Sequence, residues 1–327
     1  MRIFFIFVIG LLLLAAGAAA IVSVGVIAHH PASGISGDRP ESMIWDGIQR
    51  TYILHLPAVH GSNHTIPLVI VLHGHGGTAS GMVRMTNGEF DALSDKNEFL
   101  VVYPDGLNKS WNDGREDSVI GKKGTDDTGF LSALIDSMIR NEHADPTRIY
   151  VTGMSNGAMM CYRLAAQITG RLTAIAPVAG SIPETVYNNF SPTRPLSLLA
   201  INGTMDKLVP WNGGDVRGPF GMRKFGTILP IERTVEFWMK IDKCSPTPEQ
   251  IQIPDRDPKD GTRVSCTRYS GGLESSEVIL YKVDGGGHTW PGGTQYLPQW
   301  IVGKLSNDMN ACDVIWDFFS RHSRRAE

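Results

Sequence analysis

The sequence predicts an α/β fold: a mostly parallel central sheet with helices on both faces. Three observations lead there. Apolar runs alternate with stretches of helical spacing from residue 67 to residue 322. The runs are near-continuous in Val, Ile, Leu and Ala, as in strands buried on both faces. The alternation never breaks, so the 327 residues, 42% of them hydrophobic, are expected to hold one catalytic domain over 43–322.

The elements follow in order. "TYILHLP" (51–57), "PLVIVLHG" (67–74) and "EFLVVYPDG" (98–106) read as strands, the last closed by a Pro-Asp-Gly turn. "GFLSALIDSMIRNEH" (129–143) has helical spacing, with Asp126 or Asp127 placed to cap it. "RIYVTG" (148–153) is a strand and "NGAMMCYRLAAQIT" (156–169) a helix. "LTAIAPVAG" (172–180) and "PLSLLAING" (195–203) are strands, and "ERTVEFWMKID" (232–242) a helix. "EVILYKVDG" (277–285) is the last strand and "NDMNACDVIWDFFSRH" (307–322) the closing helix.

Ahead of this domain, Arg2 is followed by an uncharged apolar run over residues 3–28, with an A-x-A site at Ala18–Ala20. That is the pattern of a secretory signal, and its length also suits an uncleaved anchor. Cleavage is favoured because Gly and Ala crowd its second half. Either way the protein is expected outside the cytoplasm, secreted or periplasmic, and held at a membrane only if residues 1–28 stay attached. Residues 29–42 read as a polar linker and 323–327 as a charged tail. Lys and Arg total 30 against 33 Asp and Glu, a net charge of −3, so no nucleic-acid partner is expected.

There are four cysteines, at 161, 244, 266 and 312. Cys244 and Cys266 flank a polar, Pro- and Asp-rich segment that a disulfide would staple, and export would allow one. Cys161 and Cys312 sit in apolar helical patterns and read as buried thiols. No cysteine spacing matches a zinc site, and no metal is expected.

In an open α/β sheet, function collects at the carboxyl ends of the strands. Those ends read "HGHGG", "GMSNG", "NGTMD" and "DGGGHTW". In "GMSNG", Ser155 stands between Gly153 and Gly157, with a strand before it and a helix after it. A sharp strand-to-helix bend of this kind holds a serine hydroxyl clear of the sheet, and glycines two residues either side avoid collisions. A serine nucleophile needs a base, usually a histidine oriented by a carboxylate, and in this architecture the chain order is nucleophile, acid, base. Of ten histidines only His288 and His322 follow Ser155. His322 falls in the tail, so His288 is the base. Asp206, a short turn beyond "LSLLAING", is the acid. Asp215 lies further out, and Asp284 is too near the histidine. For the oxyanion, the N–H of Asn156 is one donor and that of His75 the other, with Gly76 in reserve. His73 is expected to brace the loop. Trp211, Phe220 and Phe225 could meet an apolar acyl or aryl group or pack on the core.

Together with "YPDG" (103–106), "DDTGF" (126–130) and "GGGHTWPGG" (285–293), these motifs resemble the secreted poly(3-hydroxybutyrate) depolymerase-like esterases, a group close to feruloyl and acetyl-xylan esterases. The similarity runs from about residue 43 to 320. It implies an α/β-hydrolase fold, hydrolysis of carboxylic esters, no cofactor, the triad Ser155, Asp206 and His288, and Trp290 lining the substrate cleft. The chain ends shortly after its last helix, so soluble hydroxyalkanoate oligomers or plant-type aromatic and acetyl esters suit it better than crystalline polymer. A peptidase on the same fold and a catalytically silent binding module are the other readings. The first commonly adds a propeller or lid domain, for which the chain has no room. The second often lacks a triad member, and all three candidates stand here.

Overall fold

The computed structural model describes residues 37–58, 64–115, 124–190, 192–218 and 224–325. The apolar run at 3–28 and Phe220 lie outside them. The chain runs through β1 (Gly37–Trp45), β2 (Ile48–Leu56), β3 (Ile66–Leu72), α1 (Ala79–Met85), α2 (Glu89–Asn97) and β4 (Leu100–Pro104). It continues with α3 (Asp127–Asn141), β5 (Ala144–Met154), α4 (Asn156–Gln167), β6 (Ala174–Val178), α5 (Glu184–Asn188) and β7 (Ser197–Gly203). The remainder is β8 (Gly214–Arg217), β9 (Lys224–Ile228), α6 (Ile231–Asp242), β10 (Glu249–Gln252), β11 (Arg263–Tyr269), β12 (Val278–Asp284), α7 (Gln299–Val302) and α8 (Ala311–Ser320).

Ten strands form one sheet in the order β1-β2-β4-β3-β5-β6-β7-β12-β11-β10. From β4 to β12 the neighbours are parallel. Antiparallel strands flank them on both sides. This is the expected α/β-hydrolase architecture. Residues 37–42, read from sequence as linker, are the first six of the nine residues of β1. Their alternation of half-buried and exposed residues is that of an edge strand, with one face on the protein and one in water.

The strand pleat separates two cores. In β3, Leu68, Ile70 and Leu72 face one side and Val69 and Val71 the other. The first side is covered by α3, α4 and α6 through residues such as Leu134, Leu164 and Trp238. The second is covered by α1, α2 and α8 through Met82, Phe90 and Phe318. Asp126, not Asp127, caps α3, accepting the Gly129 N–H at 2.8 Å. Asp127 is buried instead against Arg50, 2.7 Å away.

The expected Cys244–Cys266 disulfide is absent; both thiols are free and buried, as are those of Cys161 and Cys312. Cys244 belongs to the core on one face of the sheet and Cys266 to the core on the other, so the sheet itself stands between the sulfurs. The segment between them is ordered by other means. It forms β10 and the start of β11, which pair with each other.

The residues after α8 are docked rather than loose. The Tyr150 hydroxyl donates to the His322 carbonyl at 2.5 Å and the Arg324 N–H to Thr147 at 2.9 Å. His322 Nε2 sits 3.5 Å from Glu277, just before β12 and so at the opposite end of that strand from His288.

Candidate active site

The turn from β5 into α4 holds Ser155 at φ 58°, ψ −116°, a conformation that costs a non-glycine residue roughly 1–3 kcal/mol. Its neighbours hold it there. The Ser155 N–H donates to Val178 of β6, and its carbonyl accepts the Met159 N–H, both at 2.9 Å. A Cβ on Gly153 would lie 2.7 Å from the Leu72 carbonyl, and one on Gly157 2.5 Å from the same oxygen. β3 and α4 therefore approach across two bare backbones, as the sequence pattern required.

Asp206 follows β7 and His288 follows β12, the adjacent parallel strand. Their side chains meet: His288 Nδ1 lies 2.6 Å from Asp206 Oδ2, and both groups are buried. An ionised carboxylate only accepts, so Nδ1 carries the proton and Nε2 presents its lone pair. The other oxygen, Asp206 Oδ1, accepts the N–H groups of Leu208 and Val209, each at 2.8 Å. The loop that carries the imidazole is fixed by Gly287 N–H donating to Lys304 O at 2.9 Å and His288 N–H donating to Val302 O at 2.5 Å. Ser155, Asp206 and His288 thus all stand at the C-terminal edge of the parallel strands. No hydrogen bond joins the Ser155 hydroxyl to His288 among the described residues; such bonds are often long in unliganded sites and tighten with substrate.

The two residues expected at the oxyanion are linked to each other. His75 Nδ1 is 3.0 Å from Ser110 Oγ, which donates to Asn156 Oδ1 at 3.1 Å. As the first residue of α4, Asn156 has a backbone N–H without an intrahelical acceptor. Its side chain is fully used, accepting Trp111 N–H at 2.7 Å and donating to Trp111 O at 3.0 Å and Asp113 Oδ2 at 2.5 Å. The Gly76 N–H, the reserve donor, is committed to Lys109 O at 2.7 Å.

His73 braces the loop as expected. Its Nδ1 donates to Gly74 O at 2.8 Å and its Nε2 accepts the Gly106 N–H at 2.9 Å, which makes it neutral. Burial lowers its pKa and holds it so. No pattern in the sequence singles out the segment "SWNDG" (110–114), although it supplies the hydrogen-bond partners of the Asn156 side chain. The only trace of it there is an aromatic set among polar residues just after the Pro-Asp-Gly turn.

Trp290 does not line a cleft. It is fully buried in the core under α2 and α8, its ring 6.1 Å from Phe90 and edge-on to it. A large apolar ring gains more from burial than from exposure at a loop tip, and here it pins the loop that carries His288. Trp211 packs against the core on the other face. Phe225 is the aromatic that reaches the site, its ring 5.3 Å from that of His75.

The strained serine, the aspartate–histidine pair and the glycine-rich loop form the arrangement of an ester hydrolase, and comparison with known proteins agrees. A family model described as Esterase PHB depolymerase matches residues 50–192. A putative esterase, NocK, from Nocardia uniformis is 30% identical over 281 residues, covering 83% of this chain and 79% of its own length. The chain belongs to the polyhydroxybutyrate-depolymerase-type esterase family. It is a carboxylic ester hydrolase. Within the wider group, feruloyl esterase B of Piromyces equi is 27% identical over 73% of this chain, which spans 42% of that protein. Among solved structures, an acetyl xylan esterase from Aspergillus awamori superposes with a TM-score of 0.54 at 16% identity, covering 77% of this chain and 94% of its own. That likeness carries the fold alone.

Proposed function

We propose that this esterase works through an acyl-enzyme formed on Ser155, with His288 as general base and then general acid, and Asp206 holding the imidazole. The observation that carries this reading is the buried Asp206–His288 pair, with its Nδ1 proton fixed and its Nε2 left to receive the serine proton. The Asn156 N–H and a donor from the loop after β3, His75, take the developing oxyanion. Substrates are carboxylic esters with a modest apolar acyl or aryl group, which Phe225 would meet. Hydroxyalkanoate oligomers come first and feruloyl or acetyl-xylan type esters second, in keeping with the family description and with the feruloyl and acetylxylan esterases among the relatives. The enzyme acts outside the cytoplasm, exported by the apolar segment at 3–28.

The test is a panel of hydroxybutyrate oligomers, methyl ferulate, acetylated xylan and p-nitrophenyl butyrate, run with wild type and Ser155→Ala. Loss of turnover in a folded Ser155→Ala protein, with fluorophosphonate labelling confined to wild type, supports the assignment. Retained turnover overturns it.

A further inference from the structure

Far from the triad, at the sheet edge formed by β1 and β2, a histidine is surrounded by carboxylates. Asp38 and His55 are cross-strand partners, and His55 Nδ1 is 3.0 Å from Asp38 Oδ1. α2 lies over the same edge and brings Asp91 Oδ1 to 3.9 Å from Nδ1, and Asp95 Oδ1 to 3.5 Å from the other ring nitrogen, Nε2. The donor atoms of Asp38, His55 and Asp91 all fall within 4.8 Å of one another. We propose that Asp38, His55 and Asp91 bind a divalent transition-metal ion of the zinc or manganese class, with Asp95 holding the far side of the imidazole.

The chemistry of the ring points to a cation. His55 is only 5% exposed, and its Nε2 has no hydrogen-bond partner. Both ring nitrogens face carboxylates. A neutral imidazole has one N–H and would turn one lone pair towards a negative oxygen, so the ring calls for a second positive partner, either a proton or a metal ion. A metal on Nδ1 removes the conflict. The lone pair then binds the ion, and the proton moves to Nε2 and points at Asp95, the carboxylate–histidine–metal arrangement that commonly orients a ligating imidazole. The spacing fits. Two bonds of about 2.1 Å at 90–110° put donors roughly 3.0–3.4 Å apart; the Asp38–His55 distance already fits, and the Asp91 side chain has to move in towards the other two.

Charge argues the same way. Among the described residues, Asp38 and Asp91 pair with His55 and make no ion pair with a Lys or Arg. Tyr103 donates to Asp91 Oδ1 at 2.7 Å and steadies that ligand. One nitrogen and two carboxylate oxygens suit zinc or manganese better than calcium, which prefers oxygen alone. The Asp38 and Asp95 side chains are 42% and 43% exposed, so an ion has a way in.

Such an ion would clamp α2 onto the first hairpin. Phe90, next to Asp91, is the residue against which Trp290 packs, two positions from His288. No spacing in the sequence announces the site, because its members come from two strands and a helix.

The experiment titrates the purified full chain, stripped with EDTA and dialysed, with Zn2+, Mn2+ and Ca2+ by calorimetry, and with Co2+ by visible absorption. The expected result is one Zn2+ per chain, a rise in Tm, and Co2+ d–d bands from an imidazole-containing site. Asp38→Asn with Asp91→Asn abolishes stoichiometric binding, and Asp95→Asn weakens it by about 10–100-fold. These substitutions keep the shape of the side chains, so the test stays valid even if His55→Gln fails to fold. The proposal is overturned by the absence of a saturable site, by binding that the double variant leaves unchanged, or by Ca2+ preferred over Zn2+ with no Co2+ bands. Ester turnover is not the readout, so the outcome is independent of the triad assignment.

Discussion

Asn156 Nδ2 donates to Asp113 Oδ2 at 2.5 Å, tying the first residue of the helix behind Ser155 to a buried carboxylate that also holds the guanidinium of Arg115. Asp113 is fully buried and Arg115 is nearly so. Asp113→Ala would strand a buried cation and leave an Asn156 donor unmet. The expected loss of stability is about 3–5 kcal/mol, read from denaturant midpoints. Asp113→Asn keeps an acceptor for Asn156 and should lose less.

The backbone of Ser155 separates chemistry from strain. Ser155→Ala and Ser155→Gly should each lower kcat by about 10⁶-fold, and Asp206→Asn by about 10⁴-fold. Glycine tolerates positive φ, so Ser155→Gly should also be more stable than Ser155→Ala, by up to the roughly 1–3 kcal/mol of strain released. Equal melting temperatures for the two variants would contradict a strained turn.

At Gly157 the same bend is limited by space. The Cβ of Gly157→Ala would meet the Leu72 and His73 carbonyls at 2.5 and 2.7 Å. β3 and α4 would have to part, at a cost of about 1–3 kcal/mol. Activity should fall further than stability predicts, because the Asn156 N–H moves with the helix. Calorimetry beside kcat/KM checks both.

Asp242 gives the clearest pH signature away from the site. Burial pushes its carboxyl up to about 7, with the Leu196 N–H and Ser276 pulling the other way. A raised acid is easier to protonate folded than unfolded. Its cost to the fold is therefore absent below the unfolded pKa near 4, grows as pH rises towards 7, and is constant above. Asp242→Asn should gain stability relative to wild type across that window, by a few kcal/mol at most, with ester turnover unchanged. A stability difference that stays flat from pH 4 to pH 8 would refute it.

The thiols are testable directly. Denatured protein should release four reactive thiols, and native protein should react slowly, because all four are buried and burial pushes Cys244 up to about 11. Reducing agent should leave Tm unchanged. A count of two, with a Tm that falls under reduction, would restore the disulfide.

Some of this molecule was legible one strand-end at a time. "YVTGMSNG" carries its own explanation, since only glycine fits beside Ser155 and the reason is local backbone geometry. His288 followed from chain order, and Asp206 from its place after an apolar run. The β1 edge strand and α1 and α2 were not found, because half-exposed or short elements have little periodicity. The paired cysteines misled for a related reason: a polar spacer looks like a loop, and sequence says nothing about which side of a sheet each sulfur faces.

The sequence by itself determined the parallel strands, the long helices between them and the strand ends that carry Ser155, Asp206 and His288, because hydrophobic periodicity and glycine sterics act between residues a few positions apart. Only the tertiary structure decided what surrounds them: Trp290 in the core instead of the cleft, Ser110 and Asp113 beneath Asn156, and Asp38 and Asp91 around His55. Those contacts join residues 17 to 46 positions apart, or, for Trp290 and Phe90, opposite ends of the domain. They exist only once the strand order and the pleat have assigned each side chain to a face.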